Sequence, residues 1–307
     1  WHLELASLSF TSTEYTKMAL LCALFLASVA ILSGVFCVDL RVEEQEEREC
    51  YGTTVGFGYS GTLEFHYQQL RKRYTGCTYI HGNLEITHIV DQNINYDLTF
   101  LKTIRYVSGY VLLGLITEVE NIPMDSLEVI RANSTYRIMG DDYSLVVVLT
   151  SRLDEDNSGL KQLHMPRLKE ISFGKVLFTR NPSLRFVHKI NWDPIVRGRL
   201  NSVHFLDHAF DDTVSENDDT TKCPEDGSWA DEFSLCHQAP HITCHEQCYG
   251  RCFGPGEQEC CHNSCAIGCN GGSDEQCFVC KDYQYENNCV GFCPDMSYPK
   301  LQNCIKY

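Results

Sequence analysis

Cysteine has the most chemistry to offer in this chain. Fourteen of its eighteen cysteines lie between Cys223 and Cys304, with one adjacent pair, Cys260-Cys261. Thiols at that density either hold metal or oxidise in pairs. Structural zinc sites use two separated CxxC-like pairs. Only Cys277-Phe278-Val279-Cys280 has that form here, although His237, His241, His245 and His262 lie among the cysteines. The density is that of a disulfide scaffold from an oxidising compartment, so no metal and no cofactor is expected. If Cys22 and Cys37 leave with a secretory leader, sixteen cysteines remain, an even number suited to eight bridges. Counting alone leaves many connectivities open.

Other chemistry is sparse. There is no GxSxG elbow and no HExxH pair, the spacings that acyl transfer and zinc hydrolysis need. His88 near Asp91 reads as a surface pair rather than a catalytic dyad, and the chain is not expected to be an enzyme. A formal net charge of -16 excludes the basic field that draws a protein to nucleic acid or an anionic membrane. Asn133-Ser134-Thr135 is a glycosylation sequon placed in an expected surface turn.

Several elements must position these residues. Lys17 and the apolar run from Ala19 to Leu32 read as a secretory signal after the first methionine, Met18, with Val35 and Cys37 at the -3 and -1 positions of a cleavage site. The alternative for that run, a membrane anchor, needs a longer stretch. Residues 1–37 are therefore expected to be upstream sequence and signal, and the protein to be secreted and extracellular.

Strand-like text recurs at Leu84-Glu85-Ile86, Tyr110 to Leu113, Ser144 to Leu149 and Lys175 to Phe178. Shorter echoes fall at Leu101 to Ile104, Leu127 to Ile130 and Leu168 to Ile171. This spacing predicts a short parallel solenoid whose Leu and Ile stack inward, over residues 38–206. A sandwich would instead need turn signals every 8 to 12 residues or so. Leu63, His66, Tyr67, Leu70 and Tyr74 share helical spacing between Thr62 and Tyr74, predicting an amphipathic cap on the first rung. Residues 207–222 are acidic and polar and read as a linker. Residues 223–307 then form a small stapled domain, and Trp192 and Trp229 are expected to be core residues. The expected fold class is mainly β: a short right-handed β-solenoid followed by a small disulfide-rich domain.

The text GNLEIT (Gly82–Thr87), YDLTFLKTI (Tyr96–Ile104), VSGYVLLGL (Val107–Leu115) and INWDPIV, with CxxxCxxxC from Cys244 to Cys252 and CCHNSCAIGC from Cys260 to Cys269, resembles the extracellular region of the epidermal growth factor receptor family. The resemblance runs over roughly residues 49–304 and implies a receptor L domain plus the front of a furin-like cysteine-rich domain. It further implies the pairing Cys50–Cys77, Cys223–Cys236, Cys244–Cys252, Cys248–Cys260, Cys261–Cys269, Cys265–Cys277, Cys280–Cys289 and Cys293–Cys304. Arg185 and Ser228 stand where the family usually has cysteine. The tryptophan matching Trp229 inserts into the end of the solenoid in that family.

Growth-factor contacts carried over by resemblance are Phe57 and Tyr59 on the entering strand, His88, Leu115, Asp141, Asp142 and Val148. Phe57 and Tyr59 lie in a glycine-rich run and are expected to be exposed. The loop from Pro294 to Asn303 is short beside the family's dimerising hairpin, so a monomer is expected. The functional expectation is a secreted decoy receptor that binds an epidermal-growth-factor-like ligand. Two alternatives stand beside it: association with the full-length receptor, and an incomplete part of an ordinary receptor tyrosine kinase.

Overall fold

The structure is a computed structural model that describes residues 48–152, 158–196, 201–206, 223, 227–230, 235–238, 243–300 and 302–307. The expected signal, with its Cys22 and Cys37, the acidic linker and His241 lie outside the described residues.

Hydrophobic text that recurs once per coil folds as stacked parallel strands, because each strand can pair only with its equivalent in the next coil. Strands β1 (Glu49–Tyr51), β2 (Tyr79–His81), β4 (Tyr106–Val107), β7 (Val129–Ile130) and β11 (Glu170–Ile171) form one sheet in that order. The larger sheet runs β13 (Val203–Leu206), β12 (Lys175–Thr179), β9 (Asp141–Val148), β5 (Val111–Ile116), β3 (Leu84–Ile89), with β8 (Tyr136–Ile138) antiparallel on β9. A two-stranded piece, β6 (Asn121–Pro123) with β10 (Gln162–His164), closes the third side. The solenoid expectation and the recurring strands agree with this architecture.

Register explains the core. Ile86, Leu113 and Val147 are paired along the large sheet and point inward with no exposed surface. The alternate residues Leu112, Val146 and Leu177 point outward, yet they too are fully buried, in a second cluster with Tyr110 and Tyr143. Each coil turns its corner on a left-handed residue at the same register: His88, Leu115, Leu149 and Arg180 all have φ between 53° and 61°. Such φ values are uncommon outside glycine, so their repetition marks a corner imposed by the stack.

Helix α1 (Leu63–Tyr74) caps the first coil. Thr62 caps its N-terminus by accepting from the Phe65 amide, and Arg71, Lys72 and Arg73 suit its C-terminal end. Tyr67, Leu70 and Tyr74 are buried, while Leu63 and His66 are half-buried. The Cys50–Cys77 disulfide ties β1 to the chain just beyond the helix.

Among the described residues past the solenoid, seven disulfides take the place of a core: Cys223–Cys236, Cys244–Cys252, Cys248–Cys260, Cys261–Cys269, Cys265–Cys277, Cys280–Cys289 and Cys293–Cys304. Bridge separations of 8 and 12 residues occur twice in succession. Two crossed two-bridge modules of the same size thus follow one another, and Cys260-Cys261 is the seam between them. A small sheet, β14 (Tyr283–Tyr285), β15 (Asn288–Val290), β16 (Ser297–Lys300) and β17 (Asn303–Lys306), ends the described chain.

The stapled region is docked on the solenoid. Trp229 has no exposed surface, and its ring lies 5.6 Å from that of Trp192, edge to face. Both indoles are satisfied: Trp192 Nε1 donates to the Val187 carbonyl and Trp229 Nε1 to His237 Nδ1. Arg251 adds a buried fork onto the Glu170 carboxylate, whose Oε1 also accepts from Ser172 Oγ at 2.6 Å. Arg131 pairs with Asp282, and Lys281 sits 5.8 Å over the Phe173 ring.

Candidate functional site

A glycine-rich strap, Gly52 to Gly61, leaves β1 and crosses the outer face of the large sheet. Its start pairs with the first coil: the Gly52 amide donates to the His81 carbonyl at 2.7 Å and the Thr53 amide to the Asn83 carbonyl at 3.0 Å. Gly52 allows that approach, since a Cβ there would lie 2.0 Å from the Asn83 oxygen.

The strap is then pinned by one carboxylate. Glu85 Oε2 accepts from Thr53 Oγ1 and from the Val55 amide, both at 2.7 Å. Its Oε1 accepts from the Gly56 amide at 3.1 Å and from the Tyr110 hydroxyl at 2.6 Å. Glu85 is 2% exposed, so a four-donor shell compensates the burial of its charge. Burial, followed by the Glu85 hydrogen bond and charge, raises the Tyr110 phenol far above its ordinary range, keeping it a donor.

The strap's rings are half-buried, which corrects the expectation that Phe57 and Tyr59 stand exposed. Phe57 packs over Gly114 of the second coil, where a Cβ would come within 2.6 Å of the ring. It meets Tyr136 edge to face at 6.4 Å and His88 at 6.5 Å. Tyr59 lies 4.2 Å from the His66 ring and 6.1 Å from His88, and its hydroxyl donates to the Thr62 carbonyl. The glycine-rich text hid this because the hole for Phe57 is supplied by another coil.

Phe57, Tyr59 and His88 are therefore brought together. Val148 flanks the same spot but is buried, at 6% exposed, whereas Leu115 is half-buried at its left-handed corner. Asp141 and Asp142 sit at the opposite end of β9, where Asp141 accepts from Lys175 Nζ at 2.7 Å and Asp142 from Thr135 Oγ1 at 3.2 Å. The lysine hydrogen bond lowers the Asp141 pKa below the usual carboxylate range.

The residues that organise the surface but were not expected to be part of it are Glu85, Gly114, His66 and Tyr136. Alternation along GNLEIT places Glu85 on the face opposite Leu84 and Ile86, and that was the available signal. His66 Nε2 lies 2.9 Å from the Thr87 carbonyl, so that nitrogen carries the proton. His88 Nδ1 meets Thr87 Oγ1 at 3.0 Å. Burial lowers both imidazole pKa values from 6.5, and for His66 the neighbouring His88 adds to the shift.

Asp91 accepts from the Asn93 amide and side chain rather than pairing with His88. Asn133 is exposed in the turn before β8. His237 is the buried partner of Trp229, and His245 and His262 accept from local backbone amides. Among the described residues, no group of His, Cys, Asp and Glu is arranged to hold a metal ion, and no helix is long and apolar enough to cross a membrane.

Comparison with known families places both halves. A receptor L domain matches residues 76–196, and a furin-like cysteine rich region matches residues 207–307. Neither match is to a kinase domain. The chain is 34% identical over 285 residues to the epidermal growth factor receptor of Gallus gallus, covering 93% of this chain and 38% of that protein. It is 32% identical over 251 residues to the epidermal growth factor receptor of Drosophila melanogaster, covering 80% and 17%. With the receptor tyrosine-protein kinase erbB-4 of Homo sapiens it shares 36% over 211 residues, covering 69% and 14%. The chain thus spans well under half the length of the relatives it matches. With a coiled L domain leading into stapled furin-like modules, and relatives that match across both, the chain belongs to the epidermal growth factor receptor family and represents part of its extracellular region.

Proposed function

We propose that this region binds an epidermal-growth-factor-like polypeptide through its L domain and, as a soluble extracellular protein, lowers the ligand available to membrane receptors. The observation that carries the reading is the convergence of Phe57, Tyr59 and His88 on one end of the first two coils. Half-buried aromatics held on a rigid sheet lose little entropy on binding and make effective anchors. Among the described residues, a buried core and eight disulfides support the reading that the protein can act in solution.

Surface plasmon resonance of the purified protein against a panel of epidermal-growth-factor-like polypeptides tests the reading. Saturable binding to at least one is expected, weakened by Phe57→Ala. No binding at tens of micromolar for any of them overturns it. Fractionation of expressing cells tests the decoy form: product in the medium supports it, and product confined to membranes refutes it.

The second reading, association with the full-length receptor, is disfavoured at the Cys293–Cys304 hairpin. There β16 and β17 pair directly, leaving two residues between them. A hairpin this tight has no arm to extend, which favours ligand capture over receptor pairing. Co-precipitation with receptor ectodomain in the absence of ligand would reverse that preference.

A further inference from the structure

We infer that Glu85 is the positioning residue that holds the Thr53–Tyr59 strap in its recognition shape. The inference rests on the growth-factor reading above and adds to it a residue that touches no ligand.

The sheet alone offers little to a partner near the strap. Leu112, Val146 and Leu177 have no exposed surface, and the slot above Gly114 is already filled by Phe57. What remains presented there is the strap, with the rings of Phe57 and Tyr59 and the half-buried His66 and His88 beside it. A strap with glycine at positions 56 and 58, flanked by Gly52 and Gly61, has many conformations to lose. Its internal bonding is slight: among the described residues the Gly58 amide donates to the Val55 carbonyl, and the Tyr59 hydroxyl reaches Thr62. The remaining anchors to the first coil are the Gly52 and Thr53 amides, the Asn83 side chain on the Thr53 carbonyl, the distant Thr87 hydroxyl on the Gly56 carbonyl at 3.4 Å, and the Glu85 carboxylate. Beyond Thr53, therefore, Glu85 supplies most of the hydrogen bonding that holds the strap to the coil.

The chemistry requires a carboxylate. All four groups facing Glu85 are donors, two on each oxygen. Glutamine fills the same volume but turns one oxygen into an amide nitrogen. Either the Val55 amide and Thr53 hydroxyl, or the Gly56 amide and Tyr110 hydroxyl, then face a donor. Loss at either oxygen frees the strap just ahead of Phe57. Gly56, at φ 56°, is the hinge on which Phe57 turns toward Gly114.

The test combines Glu85→Gln, Phe57→Ala and the double variant, read by hydrogen–deuterium exchange of the strap peptide and by plasmon resonance with epidermal-growth-factor-like polypeptides. Glu85→Gln is expected to speed strap exchange at least tenfold while peptides from β9 keep their protection, and to weaken binding about tenfold or more. In the Phe57→Ala background the same change should cost less than twofold, because the ring it positions is gone. Thr53→Val removes a single hydroxyl bond and should act in the same direction, more weakly. It serves if Glu85→Gln fails to fold.

Unchanged strap exchange in both Glu85→Gln and Thr53→Val overturns the positioning role. Losses that add in full in the double variant overturn the claim that Glu85 acts through Phe57. A wild-type protein that binds none of the polypeptides ends the recognition claim together with the growth-factor reading. In that case the exchange data alone still decide whether Glu85 sets the strap.

Discussion

Side chains at two places carry more than their own packing. His66 and His88, 5.8 Å apart between ring centres, both have pKa values lowered from 6.5, chiefly by burial. The unfolded chain therefore binds protons more readily than the folded one over this range. Their contribution to stability is complete above about pH 6.5 and is lost as pH falls through the lowered folded values. A melting temperature that falls between pH 7.5 and pH 5, with a shallower fall in His66→Gln, is expected from thermal scans. Parallel slopes in the two proteins would assign the acid sensitivity elsewhere. At the domain junction, Arg251 and Glu170 are 8% and 2% exposed at their side chains. Removing one partner strands the other charge, so Arg251→Ala should cost about 3–5 kcal/mol in urea unfolding.

Elements reveal where sequence reading succeeds and where it stops. Stacked β3, β5, β9 and β12 were legible because recurrence of Leu and Ile at one face is a local signal repeated four times. Helix α1 was legible for the same reason, through the spacing of Tyr67, Leu70 and Tyr74. The strap was not. Its burial depends on a missing side chain at Gly114 and on a carboxylate 25 or more residues away from its donors, and no periodicity encodes such complementarity. Arg251 with Glu170 and Arg131 with Asp282 escaped for a related reason, since each joins two regions of different composition. Replacing Cys50 and Cys77 together by serine opens a loop of 27 residues and should cost about 3–4 kcal/mol by the loop-entropy relation, measured by chemical denaturation. Gly159→Ala should be harsher locally: its φ is 80°, and a Cβ would lie 1.9 Å from the Thr150 oxygen. Loss of soluble expression, or a markedly lower melting temperature, is the expected outcome.

Across the whole molecule, the solenoid and the stapled region share one core at their junction, with Trp229, Ala230 and Leu235 packed among solenoid residues. Trp229→Ala should uncouple them: cleavage by a nonspecific protease near residues 223–243 is expected to accelerate, while the solenoid's own fragment persists. Equal cleavage rates in variant and parent would place the coupling in the Arg251 and Arg131 pairs instead. The seam at Cys260-Cys261 has another consequence, felt before the protein is finished. Two thiols adjacent in sequence must close toward opposite neighbours, Cys260 back to Cys248 and Cys261 onward to Cys269. A single exchange between them miswires two modules at once, and neither can recover without the other. Correct wiring of both modules thus turns on which sulfur each of these two thiols reaches, a choice that thiol–disulfide exchange can revise.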